Sequence, residues 1–146
     1  MRMVIQRVQE ASVSVGQTEV ARIGLGLMVL VGFLAGEEPS RFSDVAKTLI
    51  HLRIFSTGDG AGRLNRSLMD VGGEVLVVPE VTLAVSLTTG QRLSFDTAAP
   101  PEAARTLFKA FVASLQAVYP KVSTGIFQAH MVVRLANDGP VTFVLH

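Results

Sequence analysis

Cysteine is absent from the 146 residues of this chain. That excludes disulfides, thiolate metal sites and a cysteine nucleophile together, and it fits a cytoplasmic protein. Long hydrophobic runs are missing too. The longest, Leu27 to Leu34, is broken only by Gly32 and falls far short of the ~20 residues that span a bilayer. Charge of one sign is scarce. The formal net charge is +1, so no global basic field announces nucleic acid, and any RNA contact must come from a local patch. Met1-Arg2-Met3 leads directly into strand-like sequence without the parts of a secretion signal. There is no Gly-x-Ser-x-Gly elbow, no P-loop and no His-Glu-x-x-His. His51, His130 and His146 lack metal-ligand spacing, so no metal site is expected. His51, near a helix C-terminus, suits a surface or capping role.

What is present is apolar. At 49% hydrophobic and 17% charged, the chain predicts one well-buried domain over residues 1–146, with one face covered by a second subunit. Residues 3–8, 11–15, 19–23 and 27–31 read as four antiparallel strands, the last apolar on both faces and therefore central. Pro39-Ser40 opens a helix with Phe42, Val45, Ala46, Leu49 and Ile50 on one stripe, extending towards Ile54 and capped by Ser40 or Ser43. Residues 56–62 read as a glycine-rich loop, and Val75 to Val78 as a buried strand. A second helix follows Pro100-Pro101, with Leu107, Phe108, Phe111, Val112 and Leu115 on its stripe. Met131–Leu135 and Val141–Leu145 close the chain as strands joined by a Gly-Pro turn. Strands and helices mix without regular βαβ repetition, which predicts an α+β fold with a mainly antiparallel sheet and two principal helices.

Two segments carry candidate chemistry. In Asn137-Asp138-Gly139-Pro140-Val141-Thr142, glycine gives a Cβ-free backbone and proline locks φ. This reads either as a plain hairpin-type connection or as a rigid junction that presents carbonyls. In Val78-Pro79-Glu80-Val81-Thr82, Pro79 deletes a backbone donor at a strand end, and Glu80 is either exposed there or half-buried and costly. Thr82 is a nucleophile candidate without a nearby His or Lys in sequence, or simply a strand former. Phe127 and Met131, four apart, form either a soft slot for a flat ring or ordinary core. From the residues alone, the chain is an α+β domain with a candidate strand-end site and no assigned reaction.

The ordered segments add a resemblance. Met1-Arg2-x-Val4-Ile5-Gln6-Arg7-Val8, Ala11-Ser12-Val13-Ser14-Val15, Ile23-Gly24-Leu25-Gly26-Leu27 and Leu52-Arg53-Ile54-Phe55 come first. Asp70 to Val78, Ala98-Ala99-Pro100-Pro101, Thr124-Gly125-x-Phe127-x-Ala129-x-Met131 and Asn137 to Thr142 follow. Across its length the chain resembles the D-aminoacyl-tRNA deacylases. The resemblance implies a barrel-like homodimer, with active sites at the subunit interface, that hydrolyses the ester between a wrongly attached amino acid and tRNA. It implies neither metal nor cofactor, the tRNA 2′-hydroxyl and backbone groups assisting the chemistry. Gly139 and Pro140 match the cross-subunit Gly-cisPro pair, which rejects L side chains and admits glycine. Arg7 matches the arginine that holds that turn. Phe127 and Met131 match positions flanking the terminal adenine, and Phe95 another pocket-lining position.

The strand that usually reads Ser-Gln-x-x-Thr in this family reads Pro79-Glu80-Val81-Thr82 here, and Asn-Arg-Pro becomes Gln91-Arg92-Leu93. An anion at Glu80 opposes both a developing oxyanion and RNA phosphate. Three accounts follow: Glu80 is neutral or turned away, it is a general base on water, or the substrate has changed. Pro79 resembles a sister branch that removes L-alanine from a mismatched tRNA, whereas Arg7 and the Gly-Pro segment resemble the chiral editor. The expected sites are therefore Pro79, Glu80 and Thr82 for catalysis, Gly139, Pro140 and Arg7 for chirality, and Phe127, Met131 and Phe95 for adenosine. The alternatives are a relaxed editor of a small L-aminoacyl-tRNA and a non-catalytic binder of tRNA ends.

Overall fold

A computed structural model describes residues 1–58 and 62–146. Its main sheet begins with β1 (Arg2–Val15), one 14-residue strand where the sequence reads as two. One edge of β1 pairs antiparallel with β3 (Gly26–Gly32) and then with β2 (Thr18–Ile23). Serving two partners in turn is what keeps β1 extended past Gln9-Glu10. Its other edge pairs with β10 (Met131–Leu145). On the far side, β3 pairs parallel with β6 (Glu74–Pro79), which pairs parallel with β9 (Val122–Thr124). The order β10-β1-β3-β6-β9, with β2 beside β1, makes a mainly antiparallel sheet, as expected, in which β6 adds parallel pairs with β3 and β9. The sheet curls until β2 lies against β6 and β9, giving the barrel-like form.

Alternation along the two parallel strands explains why both read as apolar on both faces. Leu27, Val29 and Val31 of β3, with Val75 and Val77 of β6, face a large core shared with the helices. Met28, Leu76 and Val78 face a second core inside the curl, with Val8, Val13 and Ile23. Helix α1 (Phe42–His51) buries Phe42, Ala46, Leu49 and Ile50, as its stripe predicts. Neither Ser40 nor Ser43 caps it. Pro39–Arg41 forms a 3-10 turn that runs straight into the helix, so no side-chain cap is made. The helix stops at His51, which leaves Ile54 buried but outside it. The His51 ring engages the Lys47 carbonyl at 2.8 Å, consistent with a surface capping role.

A short helix, α2 (Leu68–Val71), escaped the sequence reading although Ser67 and Asp70 form a reciprocal capping box. Hydrogen bonds from Ser67 hold the Asp70 carboxyl below its ordinary pKa. Helix α3 (Pro101–Val118) starts at its proline and buries Leu107, Phe108, Phe111 and Leu115 against α1 and the sheet. Of the loop expected over 56–62, residues 59–61 lie outside the described residues. On either side, β4 (Phe55–Ser56) and β5 (Leu64–Arg66) form a small ribbon. A second ribbon joins β7 (Ser86–Leu87) to β8 (Leu93–Ser94). Among the described residues, no helix is long and apolar enough to cross a membrane.

Candidate active site

Strands β3 and β6 end side by side, and a cavity of about 360 Å³ opens just beyond their carboxyl ends. This is where parallel strands commonly place ligands. Val78, Pro79 and Glu80 line one side, Phe127, His130 and Met131 another, and Pro101 with Ala104 of α3 a third. Phe127 and Met131, which the sequence left as either a slot or ordinary core, do both: each lines the cavity and each packs against a core cluster. Met131 reaches back so that its Sδ accepts the Ile126 N–H at 3.3 Å. It also packs on Gly125, where a Cβ would sit 2.8 Å from Met131 Sδ and 3.5 Å from Pro79 Cδ. Pro79 and Met131 therefore meet across a glycine. This links the two segments that the sequence keeps about 50 residues apart.

The chain after Pro79 corrects the strand reading of Thr82. Strand β6 ends, and Val81–Ala84 form a 3-10 turn that Glu80 caps. Glu80 Oε1 accepts the Thr82 N–H at 3.1 Å, and the Thr82 hydroxyl donates to the same oxygen. Pro79 does not interrupt the ladder to β3, because Glu80 N–H donates to the Val31 carbonyl at 2.8 Å. The missing donor faces the side where β9 has already ended. Thr82 itself is exposed and does not line the cavity, whereas Glu80 is half-buried and does.

Gly32 sets how close this turn can come. A Cβ there would sit 2.5 Å from the Glu80 carbonyl oxygen and 3.1 Å from Leu83 Cβ. Gly32→Ala is expected to lose about 1–3 kcal/mol in urea unfolding, because backbone must retreat. An unchanged unfolding midpoint would contradict this contact.

The Gly-Pro segment is also different from its sequence reading. It is not a reversal. Residues on both sides of it pair antiparallel with β1, Thr142 with Gln6 and Asn137 with Val8. Five steps along β10 thus oppose two along β1, and the intervening residues stand out as a wide bulge. The Gly139-Pro140 bond at its tip is cis and both residues are exposed. Arg7 braces the bulge from beneath. Its side chain is buried, with Nε 2.9 Å from Asp138 Oδ2 and donating to the Asp138 carbonyl at 3.2 Å. Nη1 donates to the Ile54 carbonyl. Asn137 Oδ1 accepts the Val141 N–H at 3.2 Å, closing the bulge across its base.

Within one chain, Gly139, Pro140 and Arg7 do not line the cavity. Phe95 does not either; it lies just beyond β8 and is 52% exposed. Sequence reasoning missed Arg105 and Gln128. The Arg105 guanidinium lies over the Phe127 ring, 5.0 Å from its centroid, and donates from Nη2 to Gln128 Oε1. No sequence signal marked Arg105, because only the fold brings Ala104, its neighbour on α3, to the cavity.

Fold and cavity together define a barrel-like α+β domain with a binding site at the ends of parallel strands. Residues 4–146 match the family model described as D-Tyr-tRNA(Tyr) deacylase, and the chain belongs to that family. A D-aminoacyl-tRNA deacylase of Heliobacterium modesticaldum is 50% identical over 145 residues, covering 99% of this chain and 95% of the relative. One from Thermomicrobium roseum is 49% identical over 145 residues, covering 99% and 93%. Among solved structures, the c-Myc DNA Unwinding Element Binding Protein superposes with a TM-score of 0.91 at 34% identity, covering 100% of this chain and 98% of that one. A probable eukaryotic D-amino acid tRNA deacylase superposes with a TM-score of 0.84 at 18% identity, covering 99% and 97%, a likeness of fold.

Proposed function

We propose that this chain is a hydrolase, acting as one domain over residues 1–146, that cleaves D-aminoacyl- and glycyl-tRNA to the free amino acid and the RNA 3′ end. The observation that carries this reading is the Arg7-braced Gly139-Pro140 bulge in a chain that belongs to the deacylase family over nearly its whole length. The bulge stands on an edge strand of 15 residues whose outer side has no partner strand among the described residues. The same strand exposes Val132, Phe143 and Val144. An uncovered edge with apolar side chains favours a second copy there. In a homodimer the bulge of one copy closes the cavity of the other, and its carbonyls take the α-amino group and leave no space for an L side chain. Phe127 and Met131 hold the terminal adenine, with Phe95 available to the completed pocket. Water attacks the ester carbon, assisted by the RNA's own 2′-hydroxyl and by main-chain groups at Pro79–Thr82. The cytoplasm, where tRNA is charged, is the compartment of such an enzyme. Deacylation assays on D-aminoacyl-, glycyl- and L-aminoacyl-tRNA test the reading. Hydrolysis of the first two and sparing of the third is the expected result; no turnover at micromolar enzyme would leave the tRNA-end binder in its place.

Glu80, although it lines the cavity, acts here as the cap of the turn and not as a base, which leaves ordinary deacylase activity in place. Its Oε1 is engaged by the Thr82 N–H and hydroxyl. A glutamine retains that acceptor. Glu80→Gln is therefore expected to leave the rate within about threefold, inside the ~1.4 kcal/mol that corresponds to a tenfold change. Its rate–pH profile is expected to superimpose on that of the wild type between pH 6 and 9. An acid limb present only in the wild type would reinstate the general-base account.

A further inference from the structure

The cavity's own lining offers RNA little attraction. Among the described residues it includes no lysine or arginine, and it does include the acidic Glu80. The chain as a whole carries a formal charge of only +1. A single-stranded RNA end needs cations that track its backbone as well as surfaces on which its bases stack. Arg105 stands where such a cation is needed. It follows Ala104, which lines the cavity, and its guanidinium touches two further lining residues, Phe127 and Gln128.

The guanidinium is held but not consumed. Its Cζ sits over the ring of Phe127, which itself leans on Phe108 with ring centroids 6.0 Å apart. Nη2 is committed to Gln128. The nearest carboxylate, on Glu102, approaches Nε only to 3.8 Å, too far for a hydrogen bond, and is itself 86% exposed. Nη1 has no protein acceptor among the described residues, and 37% of the side chain remains open to solvent. An arginine that only fastened α3 to the neighbouring turn would not need a free, outward donor. Gln128, held at a φ of 64°, fixes the turn on which Nη2 rests. The cation is thus oriented on a firm support before any ligand arrives.

We propose that Arg105 is a substrate-contacting residue that takes the phosphate on the 5′ side of the terminal adenosine, with Phe127 and Gln128 aiming its free Nη1. This rests on the reading that Phe127 and Met131 receive that adenosine. The contact is a tightening and register device: it fastens the nucleotide whose ester is to be cut, and takes no part in the cleavage. It also sets a preference for an RNA end over a free aminoacyl-nucleoside, because only the former carries the phosphate.

The test compares two substrates, D-aminoacyl-tRNA and the phosphate-free 2′(3′)-O-D-aminoacyl-adenosine, in wild type, Arg105→Ala, Arg105→Gln and Arg105→Lys. On the tRNA at low salt, the alanine and glutamine variants are expected to lose roughly three- to fivefold in kcat/KM, carried by KM, as befits one half-exposed ion pair. The slope of log kcat/KM against log salt should become shallower by about 0.7, the value for one lost phosphate contact on a single strand. The lysine variant should keep that slope. On the adenosine ester, all four proteins should be alike. Equal losses on both substrates would overturn the proposal and make Arg105 a brace for Phe127. An unchanged salt slope would overturn it as well. Wild-type protein that cleaves neither ester would remove the deacylase reading itself, and the proposal with it, a result distinct from either. The glutamine variant keeps a polar side chain and the aliphatic stem on α3, so a loss of folding confined to alanine does not blunt the comparison.

Discussion

Arg7→Met will lower the unfolding free energy by about 2–4 kcal/mol and raise the hydrolysis of L-aminoacyl-tRNA relative to D-aminoacyl-tRNA. Methionine fills much of the volume of the arginine stem, so the core beside β1 stays packed. What it removes is the buried head group. The Ile54 carbonyl loses its donor in a place where Ile54 is only 4% exposed, and a stranded buried acceptor costs about 1–3 kcal/mol. The Asp138 carboxylate loses its ion pair as well. Because its side chain is 33% exposed, water recovers part of that loss, which keeps the total below the ~3–5 kcal/mol of a fully buried broken pair. The functional consequence follows from the same contacts. Arg7 ties Asp138, the residue just before Gly139, to β1 through both its carbonyl and its carboxylate. Without it the bulge has fewer fixed points, and a filter that works by leaving no space depends on fixed points. Urea unfolding and parallel assays on matched D and L esters measure the two effects. Full stability with undiminished selectivity would show that Arg7 braces nothing.

Gly139→Ala will be more damaging to activity than to folding. Glycine sits there at φ +117°, outside the range that side chains ordinarily accept. The added Cβ would lie 2.9 Å from Arg7 Nη2 and 3.0 Å from Val141 Cγ2. The tip of a free arginine swings away cheaply; this one is buried and anchored to Ile54 and Asp138, so the bulge must move instead. The backbone conformation and the contact together are expected to cost about 1–3 kcal/mol of stability. Deacylation is expected to fall roughly a hundredfold, the usual result of a displacement near 1 Å in a positioning group. The two substitutions act on one contact, so they should not add. Gly139→Ala in the Arg7→Met background should cost less than in the wild type, with a coupling of about 0.5–3 kcal/mol. A strictly additive double variant would separate the two residues and undo the bracing account.

Local pattern was a good guide wherever one element buries one face. The stripes of α1 and α3 and the doubly apolar runs of β3 and β6 were legible because burial writes itself into periodicity. Partner choice was not legible. Nothing in Val75 to Val78 says that the neighbours of β6 run parallel, since a strand buried on both sides looks the same in either sense. The break assumed between residues 8 and 11 arose from polar Gln9 and Glu10, which sit exposed where β1 changes partners without ending. Thr82 was read as a strand residue because threonine favours strands. The close approach allowed by Gly32 and the cap formed by Glu80 turn that segment into a 3-10 turn instead.

The sequence by itself determined the building material: which strands are buried, where the helices lie, and that a Gly-Pro pair and Arg7 accompany a Pro-Glu strand end. Only the tertiary structure decided what these do. Whether Asn137 to Thr142 reverses the chain or bulges from it depends on β1, which pairs with both flanks more than 120 positions earlier in the chain. The cavity likewise draws its walls from β3, β6, α3 and the turn before β10, segments that meet only because the sheet curls. Composition and spacing act along the chain, whereas a brace such as Arg7 under Asp138, or a guanidinium such as Arg105 over Phe127, exists only across it.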